Sequence, residues 1–240
     1  MLVTNFRFKY IVYRVMCGLY QALDVARIHP VRERALRALD DTVNFIDEHM
    51  PDAIGFETQK EVTEYALAQI KVQGHHMEFG VFTGGTTRFI AGRLPGKVIY
   101  HGFDSFQGLP EDWSGFVLGK AAFDVGGKLP KVPANVELHP GWFDESLPKW
   151  LDSHSGPVAF MHVDCDLYSS TKTIFNLLGD RLQPGTIILF DEYFNFAGWR
   201  QHEHKAFVEL VEQCNLKVTY MAYARQQVLV RIDEIVGAKT

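Results

Sequence analysis

Apolar residues recur along this 240-residue chain at two different spacings, and the spacing changes near residue 75. Before that point apolar positions lie three or four residues apart, which predicts amphipathic helices. We expect three of them, at residues 5–27, 31–50 and 58–72. In the second, Leu36, Leu39, Val43 and Ile46 form an apolar stripe that is expected to face the core.

After residue 75, short apolar runs alternate with further helical segments. Strands are predicted at residues 76–82, 97–103, 135–139, 158–163, 186–190, 216–223 and 226–232. Helices are predicted between them at residues 87–94, 146–151, 171–182 and 204–215. This alternation predicts an α/β fold, with a mostly parallel, Rossmann-like sheet covered on both faces. The last two strands are expected to form an antiparallel pair at one edge, and helices precede the sheet.

Composition narrows the class of protein. The 24 Lys and Arg against 29 Asp and Glu leave a net charge of −5, which disfavours nucleic acid as a partner. The three cysteines include no C-x-x-C pair, so neither a disulfide framework nor a tetrathiolate zinc site is expected. No apolar run approaches the ~20 residues of a membrane span, and no signal peptide is recognised. We therefore expect a cytoplasmic protein without stable membrane insertion.

Acidic residues and glycines stand where the predicted strands end. In an open parallel sheet, ligands bind beyond the carboxyl ends of the strands, near the point where strand order reverses. Acids that end successive apolar strands would project together into that crevice. They are Glu78 with Gly80, Asp104, Asp164 and the pair Asp191-Glu192.

The glycine-rich turn after the first of these strands predicts a nucleoside site. Gly80 and Gly84 permit positive φ angles and a close approach of ligand to backbone. Thr86 or Thr87 would cap the helix that follows. Asp104 lies twenty residues after Gly84, where nucleotide-binding α/β folds place an acid on a ribose diol.

The turn fits S-adenosyl-L-methionine (SAM) better than a dinucleotide. Phe82 occupies the position of the second glycine of a G-x-G-x-x-G fingerprint, and no Walker A lysine follows. The carboxylate of Glu78 would repel a pyrophosphate but suits a ligand that carries an ammonium, a sulfonium and a ribose diol.

A second constellation consists of the D-x-D run at residues 164–166 and the pair at residues 191–192. Carboxylates at two adjacent strand ends can converge on one hard cation such as Mg²⁺, Mn²⁺ or Ca²⁺. Such a cation lowers the pKa of a substrate hydroxyl and orients it. In the alternative interpretation, Asp166 caps the helix that begins near Ser169, and Glu192 is a solvated surface charge.

Four motifs follow one another in a recognisable order: EFGVFTGG at residues 78–85, FDSFQGLP at 103–110, HVDCDLY at 162–168 and FDEY at 190–193. Together they resemble the macrocin O-methyltransferase group of class I SAM-dependent methyltransferases, over roughly residues 57–232. The resemblance implies a methyltransferase domain at residues 57–240 behind a helical extension at 1–56. It implies transfer of a methyl group to a hydroxyl of a sugar, a glycoside or another small polyol.

The resemblance also implies roles for single residues. Cofactor contacts are implied for Glu78, Gly80, Thr83 and Gly84 near the methionine part, Asp104 at the ribose, and Ser105, Trp142 and Phe143 near the adenine. Metal ligation, with Mg²⁺ as the expected ion, is implied for Asp164, Asp191 and Glu192. The group often has Asp-Asp where this chain has Asp-Glu, and the added methylene changes the reach of the second carboxylate.

The general base has two candidates, Asp164 and His202. His202 and His204 follow the fifth strand, and a histidine near its ordinary pKa can accept a proton from a hydroxyl, although both could instead pack the next helix. His162 is expected in the core. The long loop at residues 108–133 is expected to be an ordered functional loop or a lid. Its Trp113, Phe116 and Phe123 would cover the acceptor, form a small satellite core or make a subunit contact.

Other functions remain open at this point. A metal-dependent glycosyltransferase would use residues 164–166 as a D-x-D motif on a nucleotide-sugar. A non-catalytic SAM-binding protein would keep the turn without turnover, and an NAD oxidoreductase fits the turn less well. The oligomeric state is also open, since the N-terminal helices and the long loop offer surfaces for a homo-oligomer.

Overall fold

The computed structural model describes residues 14–19, 22, 29–113, 119 and 122–236. Residues 14–19 are helical, and most of the predicted first helix lies outside the described residues. The helices are α1 (Pro30–His49), α2 (Gln59–Gln69), α3 (Gly85–Ala91), α4 (Phe143–Leu151), α5 (Tyr168–Leu178) and α6 (Glu203–Gln213). Short 3₁₀ turns lie at Gly179–Arg181 and Trp199–Gln201.

Eight strands form one sheet, in the order β1-β7-β8-β6-β5-β2-β3-β4. They are β1 (Ile54–Gly55), β2 (His75–Phe79), β3 (Tyr100–Asp104), β4 (Val136–Pro140), β5 (Val158–Val163), β6 (Ile187–Phe190), β7 (Leu216–Tyr223) and β8 (Val228–Ile235). All pairings are parallel except those of β8, which runs antiparallel to β6 and β7. The predicted α/β fold with a mostly parallel, Rossmann-like sheet is confirmed.

The antiparallel pair does not form the edge that the sequence predicted. The two-residue strand β1 pairs with β7 from outside, so β7 and β8 lie one strand further in. Two residues are too few to show a period of two, which is why the pattern gave no sign of β1. This strand precedes residue 57, the predicted start of the methyltransferase domain, and that boundary stays a prediction.

Strand order reverses between β2 and β5. The chain runs from β2 outward through β3 to β4, then returns to the other side of β2 as β5 and continues to β6. Every residue of β5 is buried, as expected for a strand covered on both faces. The crevice beyond β2 and β5 is therefore where a ligand is expected in this class of sheet.

Helix α1 packs with a different face from the one predicted. Its buried residues are Ala38, Thr42 and Phe45, whereas Leu36, Leu39 and Val43 are 44–48% exposed. The ring of Phe45 fills a space among aromatic side chains, 5.4 Å from Trp199 and 6.2 Å from Tyr193. Burial of this large ring sets the rotation of the helix and leaves the more numerous aliphatic side chains outside. The prediction was therefore wrong for Leu36, Leu39 and Val43, whereas the fourth residue of the stripe, Ile46, is partly buried and packs against the core.

A capping box fixes the start of α2. The backbone nitrogen of Thr58 donates to Glu61 Oε2 at 2.9 Å, and Thr58 Oγ1 accepts from the backbone nitrogen of Glu61. This places Gln59, the first residue of the helix, within reach of the end of β6. Within the described part of the chain, no helix combines the length and the apolar character needed to cross a membrane.

Candidate functional site

A cavity of about 800 Å³ opens at the carboxyl ends of β2, β3, β5 and β6. It brings together most of the residues that the sequence singled out. Those that line it are Gly80, Asp104, Ser105, Trp142, Phe143, Asp164, Asp166, Asp191 and Glu192. The predicted crevice is therefore present, and the predicted residues divide into those that reach it and those that do not.

Gly80 lies where three strands meet. Its φ is +97°, and a Cβ there would overlap the carbonyl oxygen of Asp164. Its backbone nitrogen donates to Phe103 on β3 at 3.0 Å, and that of Asp164 donates to Phe79 on β2 at 2.9 Å. The positive φ of Gly80 was expected. The contact that leaves no room for a side chain is with the backbone of Asp164, directly after β5, rather than with a ligand.

Glu78 lies beneath the glycine turn and does not line the cavity. It is fully buried; His162 Nδ1 donates to Oε1 at 3.1 Å, and Thr87 Oγ1 donates to Oε2 at 2.5 Å. The expectation that Glu78 lines the methionine part of SAM is therefore corrected, because both oxygens are held by core side chains. Thr87 is also not the helix cap: α3 begins after Gly84, which has a φ of +75° and offers no side chain.

Thr83 and Gly84 also lie off the cavity lining. Thr83 is exposed, and its carbonyl oxygen accepts from Arg88 Nη1 at 2.9 Å. A Cβ on Gly84 would meet the same Arg88 atom at 3.0 Å. Both residues lie beside Arg88 rather than in the cavity wall, so the cofactor contacts expected of them stay predictions.

Asp104 lines the cavity with its carboxylate fixed by the backbone. Oδ2 accepts from the nitrogens of Val81 and Phe82 at 2.8 and 2.7 Å, and Oδ1 accepts from Phe106 at 2.6 Å. A carboxylate oxygen can accept two hydrogen bonds, so Oδ1 keeps one position for a ligand hydroxyl. Asp104 thus both ties the glycine turn to β3 and presents an acceptor to the cavity.

The side of the cavity near α4 is aromatic. Trp142 precedes the first residue of the helix, Phe143, and both line the cavity. The ring of Phe143 meets that of Phe79 edge to face at 5.6 Å. Ser105 Oγ donates to the carbonyl oxygen of Gly108 at 3.0 Å, which holds the turn after β3. Flat apolar rings beside a fixed acceptor suit a purine nucleoside.

Three carboxylates converge in the cavity. Oxygens of Asp164, Asp166 and Glu192 lie within 4.8 Å of one another. Asp166 has a φ of +64° and does not cap α5, whose N-cap residue is Leu167 with no side-chain hydrogen bond. The alternatives in which Asp166 is a helix cap and Glu192 a solvated surface charge are therefore wrong.

Asp191 lines the cavity but is not one of the three. Its Oδ1 accepts from the side-chain amides of Gln59 and Gln227, the latter at 3.2 Å. The structure groups Asp166, in place of Asp191, with Asp164 and Glu192, and the metal set of Asp164, Asp191 and Glu192 stays a prediction. Two amide donors hold the carboxylate of Asp191 in this structure.

Glu203 is a part of the site that the sequence analysis missed. It is fully buried, Oε1 accepts from the backbone nitrogen of Cys165 at 3.4 Å, and Oε2 accepts from that of Glu192 at 3.3 Å. It thereby joins the segments that follow β5 and β6. The only signal was an acid on the first turn of α6, between two histidines that drew attention for their chemistry.

Burial raises the pKa of Asp164, Glu192 and Glu203 well above the usual carboxyl range, and the neighbouring negative charges raise it further. Burial, then the charges of Asp191 and Asp104, raise the pKa of Asp166 to about 7. The described residues that line the cavity include no Lys, Arg or His.

This charge pattern tests whether a cation fits. Glu192 Oε2 is buried without a hydrogen-bond partner among the described residues. Buried carboxylates without a basic partner are unfavourable unless protons or a cation compensate them. An oxygen-only donor set is the one that Mg²⁺, Mn²⁺ and Ca²⁺ prefer. The residues present therefore fit a hard divalent cation.

The two candidate histidines lie outside the cavity lining. His202 is 5% exposed, with its ring 5.6 Å from that of Phe196 and 6.4 Å from that of Trp113. His204 packs against Trp199 at 4.8 Å, and burial lowers its pKa to about 4. His204 is thus a packing residue, whereas the ring of His202 is close to Trp113, which lines the cavity.

The long loop contributes to the cavity wall. Trp113 and Phe123 line the cavity, as the lid interpretation expects. Phe116, the third aromatic residue proposed to cover an acceptor, lies outside the described residues.

Comparisons with known proteins show what this chain is similar to. Residues 77–193 match the family described as methyltransferase domain. A 143-residue segment is 31% identical to the 8-demethyl-8-(2,3-dimethoxy-alpha-L-rhamnosyl)-tetracenomycin-C 4′-O-methyltransferase of Streptomyces olivaceus. The match covers 51% of this chain and 54% of that protein, so the chain spans about half the length of this curated relative.

Two solved structures share the fold. The calicheamicin methyltransferase CalS11 aligns with a TM-score of 0.62 at 21% identity, over 88% of this chain and 90% of its own. The O-methyltransferase NovP aligns with a TM-score of 0.55 at 20% identity, over 73% and 80%. Residues 77–193 are thus similar in sequence to a methyltransferase domain, and the chain shares the fold of these two structures.

Proposed function

We propose that this chain is a SAM-dependent O-methyltransferase of the macrocin group, which methylates a hydroxyl of a sugar or glycoside with help from a divalent cation. One observation carries the proposal. A single cavity contains both the fixed carboxylate of Asp104 beside the glycine turn and the three converging carboxylates after β5 and β6. A cofactor bound at Asp104 and an acceptor bound at the three carboxylates would therefore lie in the same cavity.

The cofactor end follows from the contacts of its wall. Oδ1 of Asp104 would accept from a ribose hydroxyl, because its other contacts leave one position open. The rings of Trp142 and Phe143 would pack on the adenine. The methionine part would then lie along the backbone at Gly80, where the absence of a side chain leaves room.

At the acceptor end, Asp164, Asp166 and Glu192 would hold the cation. When bound, the cation would lower the pKa of a substrate hydroxyl and fix its direction. Positioning of the hydroxyl oxygen in line with the methyl carbon and the sulfur supplies a large part of the rate. The carbon–oxygen bond forms as the carbon–sulfur bond breaks, and the hydroxyl proton passes to a carboxylate.

Asp164 is the carboxylate that we assign as proton acceptor, because it lines the cavity and lies beside the other two converging carboxylates. His202 is the alternative base, but it does not line the cavity, and its ring lies 6.4 Å from that of Trp113, which does. The side chains of Trp113 and Phe123 would exclude water during transfer.

A sugar acceptor is favoured by the name of the curated relative, which methylates a rhamnosyl group of tetracenomycin. The D-x-D alternative, a glycosyltransferase, shares the two aspartates of residues 164–166. The methyltransferase-domain match over residues 77–193 favours methyl transfer instead.

Calorimetric titration with S-adenosylhomocysteine, in EDTA and in millimolar Mg²⁺, tests the cofactor assignment. We expect micromolar or tighter binding in both. A panel of nucleotide-sugars and glycosides with SAM then tests turnover, with EDTA as the test of cation assistance. Absence of S-adenosylhomocysteine binding together with Mg²⁺-dependent UDP binding would favour the glycosyltransferase. Binding without turnover on the panel would favour a SAM-binding protein without catalysis.

A further inference from the structure

A second set of metal-ligating side chains lies on the outer strands β3 and β4, and none of its members lines the cavity. His101 pairs with Glu137 across the two strands, and His139 lies two residues further along β4. Alternate residues of a strand point to the same face, so the three side chains share one face of the sheet. That face is covered by α4, whose Trp150 contacts the ring of His101 at 5.2 Å.

The ligand atoms have the spacing of a tetrahedral site. His101 Nδ1 lies 3.1 Å from His139 Nε2 and 3.7 Å from Glu137 Oε2. All three ligand atoms lie within 4.8 Å of one another. A tetrahedral ion with bonds of about 2.0–2.1 Å separates its ligand atoms by about 3.4 Å. Small side-chain movements would therefore bring the three atoms onto one ion.

The protonation states suit a cation. Burial and the neighbouring imidazoles, His139 first among them, lower the pKa of His101 to about 3. Burial likewise lowers the pKa of His139. Both shifts favour the neutral imidazole, the form that ligates metals. Glu137 is exposed and supplies a negative charge at the open side.

We propose that His101, Glu137 and His139 bind a Zn²⁺-class transition-metal ion, with water in the fourth position. Two imidazoles and one carboxylate are ligands that Zn²⁺ accepts, whereas Mg²⁺ prefers oxygen alone. The site is separate from the oxygen-only group of Asp164, and it does not depend on the proposed methyl transfer. By joining edge strand β4 to β3, the ion stabilises the folded chain.

Trp150 gives this site an optical signal. Its indole nitrogen donates to His101 Nδ1 at 3.3 Å, a long hydrogen bond to the atom that would ligate the metal. Its ring is stacked on that of His154 at 4.4 Å. Metal binding at His101 replaces the hydrogen bond and changes the surroundings of the indole, so tryptophan fluorescence is expected to change with occupancy.

The test is titration of tag-free, metal-stripped protein with Zn²⁺ in millimolar Mg²⁺, which occupies oxygen-only sites. Co²⁺ titration in parallel shows tetrahedral coordination by its visible absorption. The variants are Glu137→Gln and His139→Gln, with His29→Gln, an exposed histidine elsewhere, as the matched control. Circular dichroism confirms that each is folded, and Glu137→Gln changes only an exposed side chain.

We expect one Zn²⁺ per chain with a micromolar or lower Kd, a tetrahedral Co²⁺ spectrum and a fluorescence change. Loss of one ligand should weaken Zn²⁺ at least about tenfold in each variant but not in His29→Gln. No Zn²⁺ binding by the wild-type chain overturns the proposal. An unchanged Kd for Zn²⁺ in Glu137→Gln also overturns it, as does an unchanged Kd in folded His139→Gln.

Discussion

His162 on β5 and Glu78 on the adjacent strand β2 meet inside the sheet, with Nδ1 3.1 Å from Oε1 and neither side chain exposed to solvent. Thr87, near the start of α3, donates a hydrogen bond to the other carboxylate oxygen of Glu78. The glycine turn that borders the cavity is therefore supported from below by a buried carboxylate with two donors. The position of Gly80 depends on this support.

Replacement of His162 by leucine should destabilise the fold. One oxygen of Glu78 would lose its donor in a dry environment, and we expect the free energy of unfolding to fall by about 3 kcal/mol. Denaturant unfolding measures the change. The double variant His162→Leu/Glu78→Gln should recover part of it, because the buried charge is gone. A loss under about 1 kcal/mol in the single variant, or strict additivity in the double, would contradict this account.

Glu78→Gln separates support of the turn from direct cofactor contact. Because Glu78 does not line the cavity, we expect the folded variant to bind S-adenosylhomocysteine with a Kd within about threefold of that of the wild type. Its unfolding free energy should nevertheless fall. A much larger loss of affinity at unchanged stability would restore the contact with the methionine part that the family resemblance implies.

Asp104 should affect both cofactor binding and stability. Asp104→Ala removes the acceptor of three backbone N–H groups, so it should cost about 1–3 kcal/mol of stability as well as cofactor affinity. Asp104→Asn keeps the shape and one acceptor oxygen, and serves as the matched variant. We expect S-adenosylhomocysteine affinity to fall at least about tenfold in both, measured by calorimetry. Unchanged affinity in folded Asp104→Asn would remove the ribose assignment.

The acid group predicts how stability depends on pH. A carboxyl whose pKa is raised by folding stabilises the native state when protonated, and this contribution is lost as pH rises through the folded pKa. For Asp166 that value is about 7, and folding also raises the pKa of Asp164 and Glu192 well above the usual carboxyl range. Histidines titrate in the same window, because an unfolded histidine loses its proton near about pH 6.5 and burial lowers the pKa of His101 and His204, so their contribution to stability rises with pH. A comparison with Asp166→Asn, which keeps every histidine, isolates the carboxyl contribution.

In EDTA, the Tm of the wild-type chain should therefore fall relative to that of Asp166→Asn, which removes the group with a pKa of about 7, as pH rises through this window. Mg²⁺ competes with the bound protons, so the gain in Tm on adding it should be larger at pH 8 than at pH 6.5. Parallel EDTA curves for the two chains, or an equal gain from Mg²⁺ at both pH values, would contradict a cation at these carboxylates. Differential scanning fluorimetry is sufficient.

The alternation of strands and helices could be predicted because it depends on local spacing. Strand β5 occupies the predicted residues 158–163, and β7 the predicted residues 216–223. The face of α1 could not be predicted in the same way. It is set by the fit of Phe45 among aromatic side chains that follow about 150 residues later in the chain, which no local period records.

The acids at the strand ends were predicted, but not their partners. Whether a carboxylate points to a shared ion or to a donor depends on what else reaches it. Gln59 reaches Asp191 across 132 positions of sequence, and Gln227 across 36. Glu203 joins the ends of β5 and β6 from the next helix. Sequence spacing carries no information on such contacts, and the exchange of Asp166 for Asp191 follows from them.

That exchange can be tested with two variants on neighbouring residues. Glu192→Gln removes one of the three converging carboxylates, so the Kd for Mg²⁺ should rise at least about tenfold. Asp191→Asn should change it by no more than about threefold, because the carboxylate of Asp191 is already held by amides. Its Oδ1 can still accept from Gln59 and Gln227, which preserves the fold.

Calorimetric titration of Mg²⁺, with S-adenosylhomocysteine bound, measures both changes under one condition. Turnover on a glycoside acceptor should follow the same order, with Glu192→Gln the more impaired at limiting Mg²⁺. If Asp191→Asn weakens Mg²⁺ more than Glu192→Gln does, Asp191 belongs to the metal set after all. The amide contacts of Gln59 and Gln227 would then describe only the cation-free protein, in which those amides take the place of the ion.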